Sequence, residues 1–288
     1  MCIRDSTTIG QITAVGRAAL MANTSGTQNV AIGYGAMQNN TSGGSNTALG
    51  YSALLTNTTG HRNTAVGRDA LYYGNGDDNT AVGNEALENN TGSDNTGIGG
   101  DELRDNTGGY SNTAVGSDAL AANTGGFKNT AMGVNALASN TTGNYNTAVG
   151  EAALISAVSN NNTAVGYKAL YDTTSVYSNS SLGASELEYN SANNNTAVGF
   201  EVMKSTTTGS SNACFGRHAG YSITTGADNT CLGYNAGDAV STGGSNVVIG
   251  SNAAASFNGS GNTYVGQQAA ANATGGNQNL SLIHISEP

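Results

Sequence analysis

The chain has 288 residues, of which Gly (42), Asn (39) and Thr (34) supply two fifths, and its formal charge is −10. Charged residues make up 10% of it and there is no Trp, far from the roughly 25% charge of an average soluble domain. That deficit of clustered Lys and Arg excludes nucleic acid as a partner. No apolar run approaches the ~18 residues that span a membrane.

Taken in chain order, Met1 to Ser6 matches nothing that follows. It can be encoded as ATG TGT ATA AGA GAC AG plus one base. The reverse complement of that stretch translates as Leu-Ser-Leu-Ile-His-Ile, which is Leu280 to Ile285. One inverted DNA repeat therefore accounts for both ends, and it looks like a transposase sequencing adapter read in frame. Residues 1–6 and 280–288 are expected to be artefact, Cys2, His284 and the single Pro288 included.

Between them lies one repeat region, residues 7–279, expected to be a single domain. Units begin at 12, 29, 46, 63, 79, 95, 112, 129, 146, 162, 179, 195, 212, 229, 246 and 262, a nearly constant period. The unit reads N-T-A-V-G-x-x-A-L-x-x-N-T-T-G-x-x, and some copies are shorter by one position. Its fifth position is Gly in every copy, from Gly16 to Gly266, and its first is Asn everywhere except Ile12. The fourth is always Val, Ile, Leu, Met or Phe, and the eighth is Ala in thirteen copies. The ninth is Leu or Met until Gly220, Gly237, Ala254 and Ala270.

A fixed period of this size marks a solenoid, in which each unit buries its apolar side by stacking on its neighbours. Two helices need about 33 residues, and Asn, Thr and Gly oppose helix. Asn-Thr-Ala-Val is predicted as one strand, ended by the Gly where the chain takes φ > 0 or passes close to another backbone. The Ala-Leu stretch is predicted as a second strand and Asn-Thr-Thr-Gly as the return turn. At one strand spacing per coil, sixteen coils make a rod on the order of 75 Å long. The fold class is all-β, a parallel β-solenoid or β-roll. The first-position Asn residues read as a stacked amide ladder.

Neighbouring residues of a strand point to opposite sides, so the small third and large fourth residues face apart. Since both positions are restricted, both faces are expected to be packed. Burying one Val, one Leu and two Ala per coil falls short of the entropic cost of fixing that coil. Association of chains about a shared axis is expected to supply the rest, as a homotrimer; a monomer held by its own stacking is the alternative.

The N-T-A-V-G unit with its following Ala resembles the head repeats of trimeric autotransporter adhesins. It is also similar to Asn/Thr/Gly-rich repeats of phage tail fibres, notably in Gly216 to Gly226, Gly-Arg-His-Ala-Gly-Tyr-Ser-Ile-Thr-Thr-Gly. The resemblance covers residues 12–279. It implies a left-handed β-roll, three chains per fibre, an extracellular place on a bacterial surface or virion, and a cell-surface glycan or host receptor as partner. The units here are longer than is usual in the adhesins.

Cys214 and Cys231 share the third position of adjacent coils, a spacing that admits a disulfide; the alternative is two small buried residues in place of Ala. His61 and His218 lack a nucleophile or a second metal-ligand pair. Carboxylates such as Asp77, Asp78, Asp101 and Glu102 read as dispersed over the units. No catalytic residue, metal site or cofactor is therefore expected, and no enzyme. Tyr34, Tyr51, Tyr72, Tyr167, Tyr171, Tyr221 and Tyr234 read as a glycan-stacking surface, or simply as residues that suit strand surfaces. Thr fills the second position in twelve units. Such a column could order ice-like water, although it shares a strand face with the fourth residue, read as core. The function expected is a structural or adhesive fibre segment, with an ice-binding solenoid or a carbohydrate-active β-helix as rivals.

Overall fold

The computed structural model describes residues 3–4, 10–173, 175–273 and 276–282. It is all-β: one short strand per coil, stacked parallel and in register with the next. The chain forms two compact units, residues 1–145 and 146–288. In the first, strands such as Thr47–Leu49 and Thr64–Val66 pair residue for residue, Ala48 against Ala65. In the second, Thr163–Val165 and Ser180–Ala184 pair in the same way. The parallel solenoid inferred from the period is the fold observed. At the ends, Ile3–Arg4 runs antiparallel to Thr13–Val15, and Leu280–Leu282 continues the parallel series after Thr263–Val265. Cys2, His284 and Pro288 lie outside the described residues.

The fifth-position glycine is required twice over. Gly67 sits at φ 138°, a region that residues with a Cβ essentially do not occupy. A Cβ there would also fall inside the carbonyl of Gly83 in the next coil. Both reasons recur along the stack, at Gly16 and Gly33 as at Gly166 and Gly250.

The second predicted strand is not one. After each glycine the chain turns, and the seventh and ninth residues are left-handed, as in Ser52 (φ 53°) and Leu54 (φ 54°). Asp69, Asp118 and Asn135 at the seventh position suit that conformation. Leu does not, and is held there by complete burial. Main-chain ladders nevertheless persist through the turn: Leu54 N–H donates to Ala70 C=O at 2.9 Å and Thr56 N–H to Tyr72 C=O at 3.0 Å.

The interior is narrow. It is filled by the third, eighth and ninth residues, such as Ala48, Ala53 and Leu54, all fully buried. Asn closes it on the other side. Asn46 donates from Nδ2 to Gly60 C=O at 2.8 Å, while its Oδ1 accepts the Asn63 N–H at 2.8 Å. The same pair of bonds recurs around Asn29 and Asn229. This is the stacked ladder expected of the first position, and it satisfies polar groups that would otherwise be costly to bury.

The fourth residue corrects the expected core. Strands alternate as outward, inward, outward, so Thr47 and Leu49 both flank the buried Ala48 on the outside. The large apolar residue therefore faces solvent: Leu49 is 45% exposed and Leu182 52%. One strand face is packed and the other is bare.

Candidate functional site

Because the strands stack parallel and in register, the outward second and fourth residues line up as two columns within each unit. In the first unit, Thr47, Thr64, Thr80, Thr96, Thr113 and Thr130 follow one another on six consecutive coils. Beside them run Leu49, Val66, Val82, Ile98, Val115 and Met132, half-buried to exposed. In the second unit the apolar column runs from Val149 to Val265, with Leu182, Phe215 and Leu232 exposed. Its Thr column is broken by Ser180, Ala213 and Val247. Scattered apolar side chains on a surface are ordinary, whereas a contiguous apolar patch marks an interaction surface.

The tyrosines are divided. Tyr34 and Tyr51 are exposed, but their rings stack on each other at 5.2 Å and 8°, so their shared faces are closed to a sugar. Arg17 lies 5.7 Å from the centre of Tyr34. Tyr72 is half-buried and packs edge-on against Tyr73. Lys168 lies over both Tyr167 and Tyr171, at 5.3 and 4.9 Å. Arg217 approaches the Tyr234 ring to 5.7 Å, and Tyr221 packs on His218. Each of the seven is thus engaged by a neighbouring ring or cation.

The polar candidates are occupied by structural partners. Arg62 holds Asp78 (Nε to Oδ1, 2.6 Å), and that hydrogen bond keeps the Asp78 carboxyl below its usual range. His61 donates its main-chain N–H to Asp77 at 2.7 Å and accepts the Gly44 N–H on Nδ1 at 2.9 Å. Arg104 reaches Asp101 at 3.4 Å. His218 Nε2 meets Glu201 at 3.0 Å, which also receives Lys204 at 2.6 Å.

Glu102, read from the sequence as one of the dispersed carboxylates, is not dispersed, and Glu186 was missed. Glu102 and Glu186 both occupy the eighth position, where Ala is usual, and both are fully buried. In each case the third residue of the same coil departs from Ala, to Gly97 or Ser181. Ser181 donates its Oγ–H to Glu186 Oε2 at 3.0 Å. Both carboxylate oxygens of Glu102 and Oε1 of Glu186 have no hydrogen-bond partner within ordinary geometry. Burial pushes both carboxyls up to about 7, because loss of water penalises the charged form. The paired exceptions at positions three and eight were the available signal.

Cys214 and Cys231 are free, fully buried and directly opposed in register. Among the described residues no group of three His, Cys, Asp or Glu could hold a metal ion, and no helix is long and apolar enough to cross a membrane. No family model matches the chain, and no curated protein matches it.

Proposed function

We propose that the chain is a structural and adhesive segment of an extracellular fibre, in which three copies associate through their fourth-position columns and display the remaining surface repetitively. The observation that carries this reading is the bare apolar column beside a core already closed by Ala, Leu and Asn. The occupant that fits it is a second and third copy of the same chain. A column repeating at one strand spacing is matched in pitch and chemistry by an identical column. Weak contacts on the outer surface then add through avidity. The resemblance to adhesin heads and phage fibres points the same way. Light scattering after size exclusion tests it on the full chain: a mass near three times the 28.7 kDa chain is expected, and a folded monomer overturns it.

One observation favours a second reading. The six consecutive Thr of the first unit are not on the core side but stand outward beside aliphatic residues, forming a two-column array in register. An ice-binding solenoid needs that face wet, whereas the fibre buries it. A monomer showing thermal hysteresis would select the second reading, and a trimer without it the first.

A further inference from the structure

The two coils that carry cysteine at the third position are also the two with glycine at the ninth, Gly220 and Gly237. Elsewhere in both units that position carries Leu, Met or Ala. A Cβ at Gly220 would lie 2.8 Å from Cys214 Sγ, and one at Gly237 2.6 Å from Cys231 Sγ. The sulfurs therefore point into the space that a ninth-position side chain fills in other coils. Ile223 and Val240, at the twelfth position, close that space from the far side.

The two cysteines sit on neighbouring parallel strands, Ala213–Phe215 and Thr230–Leu232, with their Cα atoms paired. Parallel neighbours lie about 4.8 Å apart, within the roughly 4.4–6.8 Å spanned by disulfides. The Cβ atoms must converge from about that spacing to the roughly 3.5–4.5 Å of a disulfide, and glycine at the ninth position puts no side chain of its own beside either sulfur. No larger ninth side chain stands in the way.

We propose that Cys214 and Cys231 form an inter-coil disulfide when the chain folds in the presence of a disulfide oxidant such as glutathione disulfide. One cysteine thiolate attacks the oxidant, forming a mixed disulfide and releasing one glutathione thiolate. The other cysteine attacks the protein sulfur of that mixed disulfide and expels the second glutathione. Two protein thiol protons end on two glutathione molecules, so the sum is two thiols plus one disulfide giving one disulfide plus two thiols. The step belongs to folding rather than to the closed coil, since burial suppresses the Cys214 thiolate. Once closed, the same burial shields the bond from reductant. The staple ties the first two coils beyond the end of the ninth-position Leu and Met column.

The test uses the full chain with Cys2→Ser, refolded from denaturant in a glutathione redox buffer, then alkylated under denaturing conditions without reduction. Trypsin cuts at Arg217, between the cysteines, so an intramolecular bond leaves two peptides joined and lighter than the free pair by two hydrogens. The joined peptides are expected, with reduction by dithiothreitol at least 100-fold slower in the native protein than in urea. A Gly220→Leu, Gly237→Leu variant should lose the bond, and a Cys214→Ser, Cys231→Ser variant, which should still fold, shows that the linkage needs these sulfurs. Two alkylated cysteines, persistent glutathione adducts or chain-to-chain disulfides in the refolded protein would overturn the proposal.

Discussion

The two units share one backbone plan and differ in how they fill it. In the first unit the ninth residue is Leu or Met throughout, and the twelfth is a ladder of asparagines. Asn40 donates to Asn23 Oδ1 at 2.8 Å and Asn57 to Asn40 at 2.9 Å; after Gly74, Asn123 donates to Asn106 at 2.7 Å and Asn140 to Asn123 at 3.0 Å. In the second unit the bulk migrates. Where the ninth residue shrinks to Gly220, Gly237 and Ala254, the twelfth becomes Ile223, Val240 and Phe257, each fully buried. Volume is conserved within the coil, but an amide ladder that fixes register is exchanged for apolar burial that does not. The twelfth position therefore serves as a register pin along much of the first unit and as core at Ile223, Val240 and Phe257 of the second, where Asn190 still keeps the amide.

That contrast breaks most visibly at Phe257. Replacing it with Ala empties the largest fully buried side chain among the described residues, removes its edge contact with Tyr264 at 5.1 Å, and should cost about 3–5 kcal/mol. Denaturant unfolding would measure the loss, and hydrogen exchange resolved by peptide would place it in the second unit. A cost below ~1 kcal/mol would mean that the apolar exchange carries little of the packing.

Among the described residues each unit also holds one fully buried acid, so both should respond alike to pH. With the folded carboxyls of Glu102 and Glu186 near 7 and the unfolded ones near 4.3, the folded state keeps a proton that the unfolded state releases. Their contribution is whole below the unfolded value and is lost as pH rises to about 7. Stability should thus fall between pH 5 and 7.5, by on the order of 2–3 kcal/mol per acid. Ser181 faces Glu186, while Asp101 and Asp118 add repulsion at Glu102. Unfolding curves across pH for Glu102→Gln and Glu186→Gln should each lose about half of that slope. Unchanged slopes would show that the acids are ionised and solvated.

A smaller effect is expected at Asn123→Ala, which strips the donor from Asn106 Oδ1, removes one of the two amide donors to Gly126 C=O and leaves the Asn140 amide with only Gly143 C=O as acceptor. About 1–3 kcal/mol should go, and exchange should rise in coils on both sides of residue 123. If only the mutated coil opened, the ladder would not be cooperative. The smallest change in chain stability, within about 0.5 kcal/mol, is expected for Leu49→Thr combined with Leu232→Thr, because both side chains already face solvent. The same pair should lower the solution mass if copies meet along the apolar column, and leave it unaltered otherwise.

Much of this was legible in the residues themselves. An invariant Gly and a near-invariant Asn at fixed spacing leave few alternatives to stacked coils, and both do what their chemistry suggested. The direction of the fourth residue was not legible, because large apolar residues are normally read as interior. The clue lay beside it: a third position limited mostly to Ala, Gly, Ser or Cys describes an interior too thin for bulk on that side. The left-handed ninth residue was equally hidden, since Leu carries no local preference for φ > 0 and accepts it here only under burial. Glu102 was lost among surface acids because one exception in a repeat looks like noise. With Glu186 at the same position, and the altered third residues beside both, it reads as a site.

The glycine stack has a consequence for how such a gene can change. A side chain at fifth positions such as Gly16, Gly67, Gly166 and Gly250 would run into the adjacent coil, so substitutions there are costly. Within a unit, however, excising or duplicating one whole coil presents each neighbour with the same strand, the same glycine and the same asparagine as before. Length is therefore the freely heritable variable and coil chemistry the constrained one. Variation among such chains should appear as whole coils gained or lost, with the Gly and Asn codons held fixed.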